Sequence, residues 1–412
     1  MNLKSFAGSR ASTAFTGLLA VLLVVCVVYA PGEAFKASGQ GLSIWWHIVF
    51  PALLPFVMLS QMLLAGGFAH GIGTLLEPFT RRLLGLPGSF GWVLPLGMTA
   101  GFPAAADTAA TLFKQGKISA SEAERIAGAA HFCSPMLLVI VIGAGFFGRP
   151  EFGLLLLAVH WAAGLAAGVT LYVLWRDRPP ARNAAEPSAS HSGSRRRSSR
   201  LRQALRNMDR ARQEDGRSLG KLLGDTVTSG VQTLMITGGY MLIFSILIHV
   251  ILLALPGTFF SVTVKSLLEV HLGSYAMSRL SSPALPPAVF TALLGAALGW
   301  SGLCAYLQVR AILGPAGIRE RFFLLNRLLH GAYAYAITLL LWKPLNGWLP
   351  GAFPAFAFAQ EGQTGTGHDT PAAWLPTWQQ AFGVMGWQLW MLALLTLGFA
   401  TIALVWSRRS ER

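Results

Sequence analysis

Long apolar runs separated by short polar stretches dominate the pattern of this chain. Most of the runs approach or exceed the roughly 20 residues that a helix needs to cross a bilayer. We therefore predict an all-α, polytopic membrane protein, with its first apolar run retained as a span rather than removed as a signal peptide. The predicted spans are residues 15–30, 42–67, 126–147, 152–175, 228–255, 322–345 and 385–407.

Two further apolar segments, 88–113 and 285–313, are interrupted in the middle. The first break is Gly101-Phe102-Pro103, and the second, Gly299-Trp300-Ser301, follows 198 residues later. The same offset pairs Gly97 with Gly295, Gly116 with Gly314, and Glu122 with Glu320. Hydrocarbon cannot satisfy freed backbone groups, so each break must face protein or a water-filled cavity. Paired breaks in two halves of a chain indicate the substrate site of a transporter.

Each broken segment predicts a re-entrant helical hairpin. In the first, residues 88–100 enter and 104–115 return; thirteen helical residues rise about 20 Å, too little to cross the bilayer. The competing interpretation is one continuous span kinked at Gly101 and Pro103. With one span, one hairpin and two spans, each half crosses three times, which predicts two inverted repeats.

The pattern divides the chain into five parts. They are an extra N-terminal span in 1–40, a first repeat in 41–175, a basic linker in 176–221, a second repeat in 222–407 that includes a 351–380 loop, and a tail in 408–412. The linker holds 13 Arg and Lys against five Asp and Glu, a net +8 of the chain's +15. We interpret it as a cytoplasmic topology determinant, with a contact to anionic lipid as the alternative, and we expect no nucleic-acid partner.

The first break is followed by a helix with a clear start and a weak point. Ser119 and Glu122 have capping-box spacing, and the helix should run to Ser134-Pro135, where proline opens it. The equivalent zone of the second half lacks a proline, so unwinding there would rest on Gly331 alone.

A few polar residues in apolar surroundings are candidates for chemistry. Asp107 and His131 either carry a coupling ion, H⁺ or Na⁺, or make structural hydrogen bonds. The side chains that either line a substrate site or bridge helices are Ser134, Ser301, Gln308 and Asn326. Glu77 and Glu269 are predicted at the membrane interface. The histidines without ligand spacing, to which we assign no chemistry, are His47, His70, His160, His249 and His330.

The composition and the absence of known motifs argue against several classes of protein. The chain is 53% hydrophobic and only 12% charged, against roughly 25% charged in soluble domains. Its three cysteines form no CxxC or metal-ligand spacing. No P-loop, HExxH or dinucleotide motif stands in a suitable context. We predict no enzymatic activity, no cofactor and no metal site, and leave the oligomeric state open.

The first half resembles the nucleoside-recognition Gate domain family. The resemblance rests on the run 83–88, the glycine tip at Gly101, and the turn 114–117 before a capped helix. A closer resemblance is to the YlbJ family, also called SpoVV, of sporulation integral membrane proteins. It rests on 41–55 with Trp45-Trp46, on 101–105, on 230–246 and on 299–308, and it covers most of residues 41–345.

The resemblance implies transport, with substrate held between two hairpin tips and two unwound helices. The residues that it implicates in substrate binding are Gly101, Phe102, Pro103, Ser134, Pro135, Gly299, Trp300, Ser301, Gly302, Gln308 and Asn326. In concentrative nucleoside transporters the first tip is Gly-Gln-Thr-Glu, whereas here it is Gly-Phe-Pro-Ala, which lacks partners for ribose hydroxyls.

The YlbJ family is instead linked to dipicolinate movement toward the forespore. The resemblance therefore implies an anionic substrate in a forespore-surrounding membrane. Helix N-termini after Gly101 and Gly299 would face its carboxylates, and Phe102 and Trp300 would stack on its ring. The alternatives are a nucleoside or other organic-solute carrier and a non-transporting membrane scaffold that acts through the linker. Deletion of the linker distinguishes a scaffold from a carrier.

Overall fold

The computed structural model describes residues 17–348, except 19, 22–23, 26, 85–90, 175–199, 255–257 and 281–284. The predicted span 385–407, the 351–380 loop, the 408–412 tail and most of the linker lie outside the described residues. The predicted span 15–30 is described only in part. The described portion of the chain is helical and contains no strand.

Fourteen helices are numbered here in chain order from Pro31. They are α1 Pro31–Ala65, α2 Phe68–Leu83, α3 Val93–Ala100, α4 Ala104–Lys114, α5 Ala120–Ala129, α6 Leu137–Phe146, α7 Pro150–Leu174, α8 Arg200–Asp215, α9 Leu219–Ala254, α10 Thr258–Leu268, α11 Val270–Ser278, α12 Pro287–Trp300, α13 Gly302–Leu313 and α14 Arg321–Trp348. Helix α1 contains one π-helical stretch, Trp45–Val49, and α6 is π-helical.

Five segments of the described chain are long and apolar enough to cross a membrane. They are Pro31–Ala65, Pro150–Leu174, Leu219–Leu253, Pro287–Leu313 and Arg321–Trp342. These segments overlap the predicted spans 42–67, 152–175, 228–255 and 322–345 and the second broken segment. The prediction of an all-helical, multi-pass membrane protein is confirmed.

The two longest helices, α1 and α9, pack against each other in opposite directions. The Trp45 indole N–H donates to the Leu234 carbonyl at 3.0 Å, and its ring covers Gly238. Further along α1, the Gln61 amide donates to Ser229 at 3.1 Å, so contacts advance along α1 as they retreat along α9. A glycine under an indole lets two membrane helices approach closely.

Both predicted breaks are present. Helix α3 ends at Gly101, whose φ of 78° and ψ of −174° form a backbone conformation that glycine adopts readily. Helix α4 begins after a cis Phe102–Pro103 bond. Helix α12 ends before Ser301 and Gly302, which have φ of 71° and 83°. One helix kinked through the first break, the competing interpretation, does not form. Helices α3 and α4 pack on each other, whereas α12 packs on α14 and α7, and α13 on α4 and α10.

The capping box of α5 is confirmed, with the Ser119 N–H donating to Glu122 at 2.8 Å and the Glu122 N–H donating back at 3.2 Å. The helix ends at Ala129, a turn earlier than predicted, and α6 resumes at Leu137. In the second half, α14 continues through Gly331. The expected second unwound helix is therefore wrong, because Gly331 serves close packing instead: a Cβ there would lie 2.9 Å from the Ala296 carbonyl of α12.

Three short elements were not predicted from the sequence. They are α2 and the pair α10 and α11, which are separated only by Glu269. The described end of the linker is helical, and α8 docks on α2, where Asn207 donates to Thr74 at 2.7 Å. Between α8 and α9, Arg217 bonds Asp215 at 2.7 Å, and this hydrogen bond lowers the pKa of the Asp215 carboxyl.

The α1–α9 contact gives a matched pair of substitutions. Gly238→Leu would drive a side chain into the Trp45 ring, whereas Gly239→Leu meets open space. We expect Gly238→Leu to destabilise the protein by about 1–3 kcal/mol, as overpacking does, and Gly239→Leu to leave it unchanged. Thermal unfolding in detergent measures both. Equal melting temperatures for the two variants would contradict the described packing.

Candidate functional site

The two breaks meet at His131, in the segment between α5 and α6. Its Nε2 lies 3.2 Å from Ser301 Oγ at the second break. From the first break, Phe102 stacks on the imidazole with ring centroids 4.9 Å apart and planes 11° from parallel, and Phe323 of α14 contacts it edge-on at 4.9 Å. His131 and Ser301 are each 1% exposed. The structure thus brings together three elements that lie far apart in sequence.

Arg327 of α14 ties the same elements together through their backbones. One terminal nitrogen donates to the carbonyls of His131 at 2.8 Å and Gly299 at 3.4 Å. The other donates to the Gly128 carbonyl at 2.9 Å and to Asn326 Oδ1 at 2.5 Å. The guanidinium is buried, with the residue 1% exposed. Only a planar fork of several N–H donors can satisfy carbonyls in several directions at once.

The charge of Arg327 is compensated in an unusual way. Among the described residues, no carboxylate forms an ion pair with it. Its acceptors instead lie at the C-terminal ends of α5 and α12, each of which carries a partial charge of about −0.5. Two buried N–H donors at this point, Arg327 Nε and Asn326 Nδ2, have no acceptor within the part of the chain that the structure describes.

A histidine pair extends the network from Arg327. Arg327 Nη1 lies 3.1 Å from His330 Nδ1, which must accept because arginine only donates. His330 Nε2 then donates to the His160 carbonyl at 2.9 Å, and His160 Nε2 accepts the Cys133 N–H at 2.9 Å. The ring centroids of His160 and His330 lie 4.3 Å apart. The sequence assigned no chemistry to His160 and His330, and the structure places both in the polar network that begins at Arg327.

Several predicted residues line the breaks in supporting positions. Gly101 packs on Ser134, where an added Cβ would lie 3.1 Å from the Ser134 Cβ. Ser134 Oγ accepts the Leu137 N–H at 3.2 Å at the start of α6, and Pro135 is buried beside it. Pro103 precedes α4 and is half-buried.

Other predicted residues are turned to different neighbours. The Trp300 indole donates to the Leu267 carbonyl of α10 at 2.9 Å, so Trp300 is not part of the Phe102–His131 stack. The Gln308 amide donates to Cys304 Sγ on its own helix at 3.4 Å. Asp107 is exposed in the first turn of α4, where a carboxylate suits the helix dipole.

Two charged residues were misjudged from the sequence. Glu269, predicted at the interface, is 2% exposed and lies under Gly302; the reason is that α10 and α11 fold inward around it. Arg327 was overlooked, although the signal existed. An arginine inside the apolar run 322–345 is an ionisable residue in a predicted span, and such residues are functional candidates by default.

Replacement of Arg327 tests whether it holds the breaks together. Arg327→Gln leaves several buried carbonyls without donors, so we expect a loss of roughly 3–5 kcal/mol, as for one partner removed from a buried charged network. Arg327→Lys should recover little, because an ammonium cannot bridge the same carbonyls. The matched control is the exposed Arg321→Gln. Denaturation in detergent measures the effect, and a wild-type midpoint for Arg327→Gln would refute this role.

Comparison with known proteins places the chain. No family model matches it, and no solved structure matches it. It is 35% identical over 357 residues to the sporulation integral membrane protein YlbJ of Bacillus subtilis (strain 168), which covers 82% of this chain and 84% of that protein. The multi-pass membrane localisation agrees with the helices described above. The chain therefore belongs to the YlbJ family of sporulation integral membrane proteins.

Proposed function

We propose that this protein transports a small anionic metabolite, dipicolinate, across a forespore-surrounding membrane during endospore formation. One observation supports it most: the buried cation Arg327, which has no carboxylate partner among the described residues, lies where both breaks meet. Its own Nε and the neighbouring Asn326 Nδ2 are unpaired N–H donors within that part of the chain. Such a site suits an anion that has more than one acceptor oxygen, and a pyridine dicarboxylate is an anion of this kind.

The repeat architecture belongs to the same proposal. Helix α4 and its equivalent α13 pack on each other, as do α5 with α14 and α1 with α9. Contact between equivalent elements is what a twofold relation produces, and the antiparallel α1–α9 pair supports inversion. The α5–α14 contacts, from Glu124–Phe322 to His131–Arg327, advance in the same direction along both helices and so do not support inversion. With eight and 11 residues, α3 and α4 are too short to cross a bilayer and suit a re-entrant hairpin.

The substrate would replace the direct contact between the breaks. In the described state the His131–Ser301 contact closes the space between them, and both residues are buried. Parting the breaks would expose the flat Phe102–His131 stack, the Ser301 hydroxyl and the free donors of Asn326 and Arg327. An aromatic ring with two carboxylates matches that set: its ring stacks, and its oxygens accept.

The helix N-termini have a smaller part than the sequence suggested. The ends turned toward Arg327 are the C-termini of α5 and α12, which repel anions. In this proposal the guanidinium of Arg327 is therefore the group that attracts the anion. Asp107 and His131 remain proposed positions for a coupling ion, and Ser134 and Gln308 remain proposed lining residues.

The rival functions have less support. A nucleoside or other neutral solute gives no reason for a buried cation that has no carboxylate partner among the described residues. A scaffold acting through the linker fits less well with the docking of α8, whose Ala204 is 4% exposed against α2. That end of the linker is engaged within the chain.

The first test separates substrate binding from structural support. In proteoliposomes, the wild type should take up radiolabelled dipicolinate and not uridine. Asn326→Asp keeps the oxygen that accepts from Arg327 but places a carboxylate beside the cation. We expect dipicolinate uptake to fall at least about tenfold, or about 1.4 kcal/mol, with an unchanged melting temperature.

Asn207→Asp on α8 is the control, because it makes the same chemical change far along the chain from both breaks and on the exposed linker helix. Uptake of dipicolinate by Asn326→Asp at the wild-type rate would contradict the proposed substrate site. Uptake of uridine alone by the wild type would favour the nucleoside alternative.

Anionic lipid is a further proposed partner at the linker. A groove of about 410 Å³ between α2 and α8 is lined by Arg81, Arg82 and Arg200, which suits a phosphate headgroup. We expect a higher melting temperature in phosphatidylglycerol than in phosphatidylcholine nanodiscs. The difference should shrink in an Arg81→Gln/Arg82→Gln/Arg200→Gln variant and persist in Arg149→Gln; an unchanged difference in the triple variant argues against the contact.

A further inference from the structure

A carboxylate and an imidazole lie side by side in the interior, where α10 meets α11. Glu269 Oε1 is 2.7 Å from His271 Nδ1, and the two side chains are only 2% and 4% exposed. The other carboxylate oxygen accepts the Leu272 N–H at 2.7 Å and so caps α11. Burial of such a pair costs free energy, and neither residue contacts Arg327 or the Phe102–His131 stack.

The surroundings of this pair contain unused hydrogen-bonding capacity. Ser266 on α10 and Ser274 on α11 are buried, and their hydroxyls have no hydrogen-bond partner among the described residues. The two helices are pressed together here, because a Cβ added at Gly273 would lie 2.7 Å from the Ser266 backbone nitrogen. Buried polar side chains on both helices therefore accompany Glu269 inside an otherwise apolar region.

The second break touches this pair and the central site at adjacent residues. Ser301 contacts His131, while Gly302 packs on Glu269, where an added Cβ would lie 3.3 Å from the Glu269 Cα. Ser301 also has a left-handed φ of 71°, which is unfavourable for a residue with a side chain. A movement of this break that opens the central site must change the packing around Glu269.

We propose that the Glu269–His271 pair binds the proton that is carried with the transported anion, an inference that rests on the proposed function. Nδ1 keeps its hydrogen toward Glu269, so the incoming proton attaches to His271 Nε2. The pair then changes from a net charge of −1 to zero, and no other bond forms or breaks. An anion at the breaks favours the neutral pair, and by reciprocity the bound proton favours the anion.

The elements around the pair carry few other ionisable side chains. The guanidinium of Arg279, just after α11, lies 5.1 Å from the ring centroid of Tyr275 on α11, and Tyr306 of α13 donates to Glu320 at 2.7 Å. Helix α10 contributes Lys265, which is half-buried, and α9 contributes His249. Helix α13 contributes the buried Cys304 and the exposed Arg310. Helices α6 and α12 carry no titratable side chain.

Glu269→Gln tests the proposal, because the amide can still cap α11 and bond His271 without a charge. Two assays use proteoliposomes with the membrane potential clamped. With equal pH inside and outside, the exchange of labelled against unlabelled dipicolinate is measured. With an acidic exterior, the accumulation of dipicolinate is measured. The wild type should accumulate dipicolinate about tenfold per coupled proton for one pH unit. Glu269→Gln should exchange at a rate within about twofold of the wild type but lose the acid-driven accumulation.

Glu33→Gln, which alters an exposed carboxylate in the first turn of α1, is the matched control and should behave as the wild type. Retention of acid-driven accumulation by Glu269→Gln would overturn the proton site and leave transport intact. Exchange by the wild type without any acid-driven accumulation would do the same. Absence of exchange in the wild type would remove the proposed function itself, and the proton site with it.

Discussion

The guanidinium of Arg327 satisfies backbone carbonyls that two interrupted helices leave free in the interior of a membrane protein. A helix that ends in water can hydrogen-bond solvent, but one that ends among lipid-facing helices cannot. The carbonyls of His131 and Gly128 come from one half of the chain and that of Gly299 from the other. The same contacts stabilise the charge, because two helix ends supply the negative potential that a carboxylate would otherwise provide.

This constraint explains why other parts are built as they are. Gly331 must stay helical and small so that α12 can approach α14 and place Gly299 beside Arg327. His330 must accept from Arg327, which fixes its tautomer and leads the network to His160 and Cys133. The breaks are thus held by a connected set of buried polar groups, and such sets favour one arrangement over partial ones.

The second break differs from the first in what surrounds it. At the first break α3 and α4 pack on each other and Gly101 rests on Ser134, whereas the second break separates α12 from α13 and lies between His131 and Glu269. An element that touches two polar sites at adjacent residues is suited to link their states. The two breaks therefore have different surroundings in the described part of the chain.

The sequence by itself determined the helical membrane architecture, both breaks, the capped start of α5 and the family, because apolar runs, glycine positions and cap spacing are local signals. It did not reveal α10 and α11, whose lengths of 11 and nine residues fall below any span criterion. Only the tertiary structure decided the site. Arg327 selects main-chain carbonyls 196 and 199 residues away, and every residue type carries such a carbonyl, so no sequence pattern marks them.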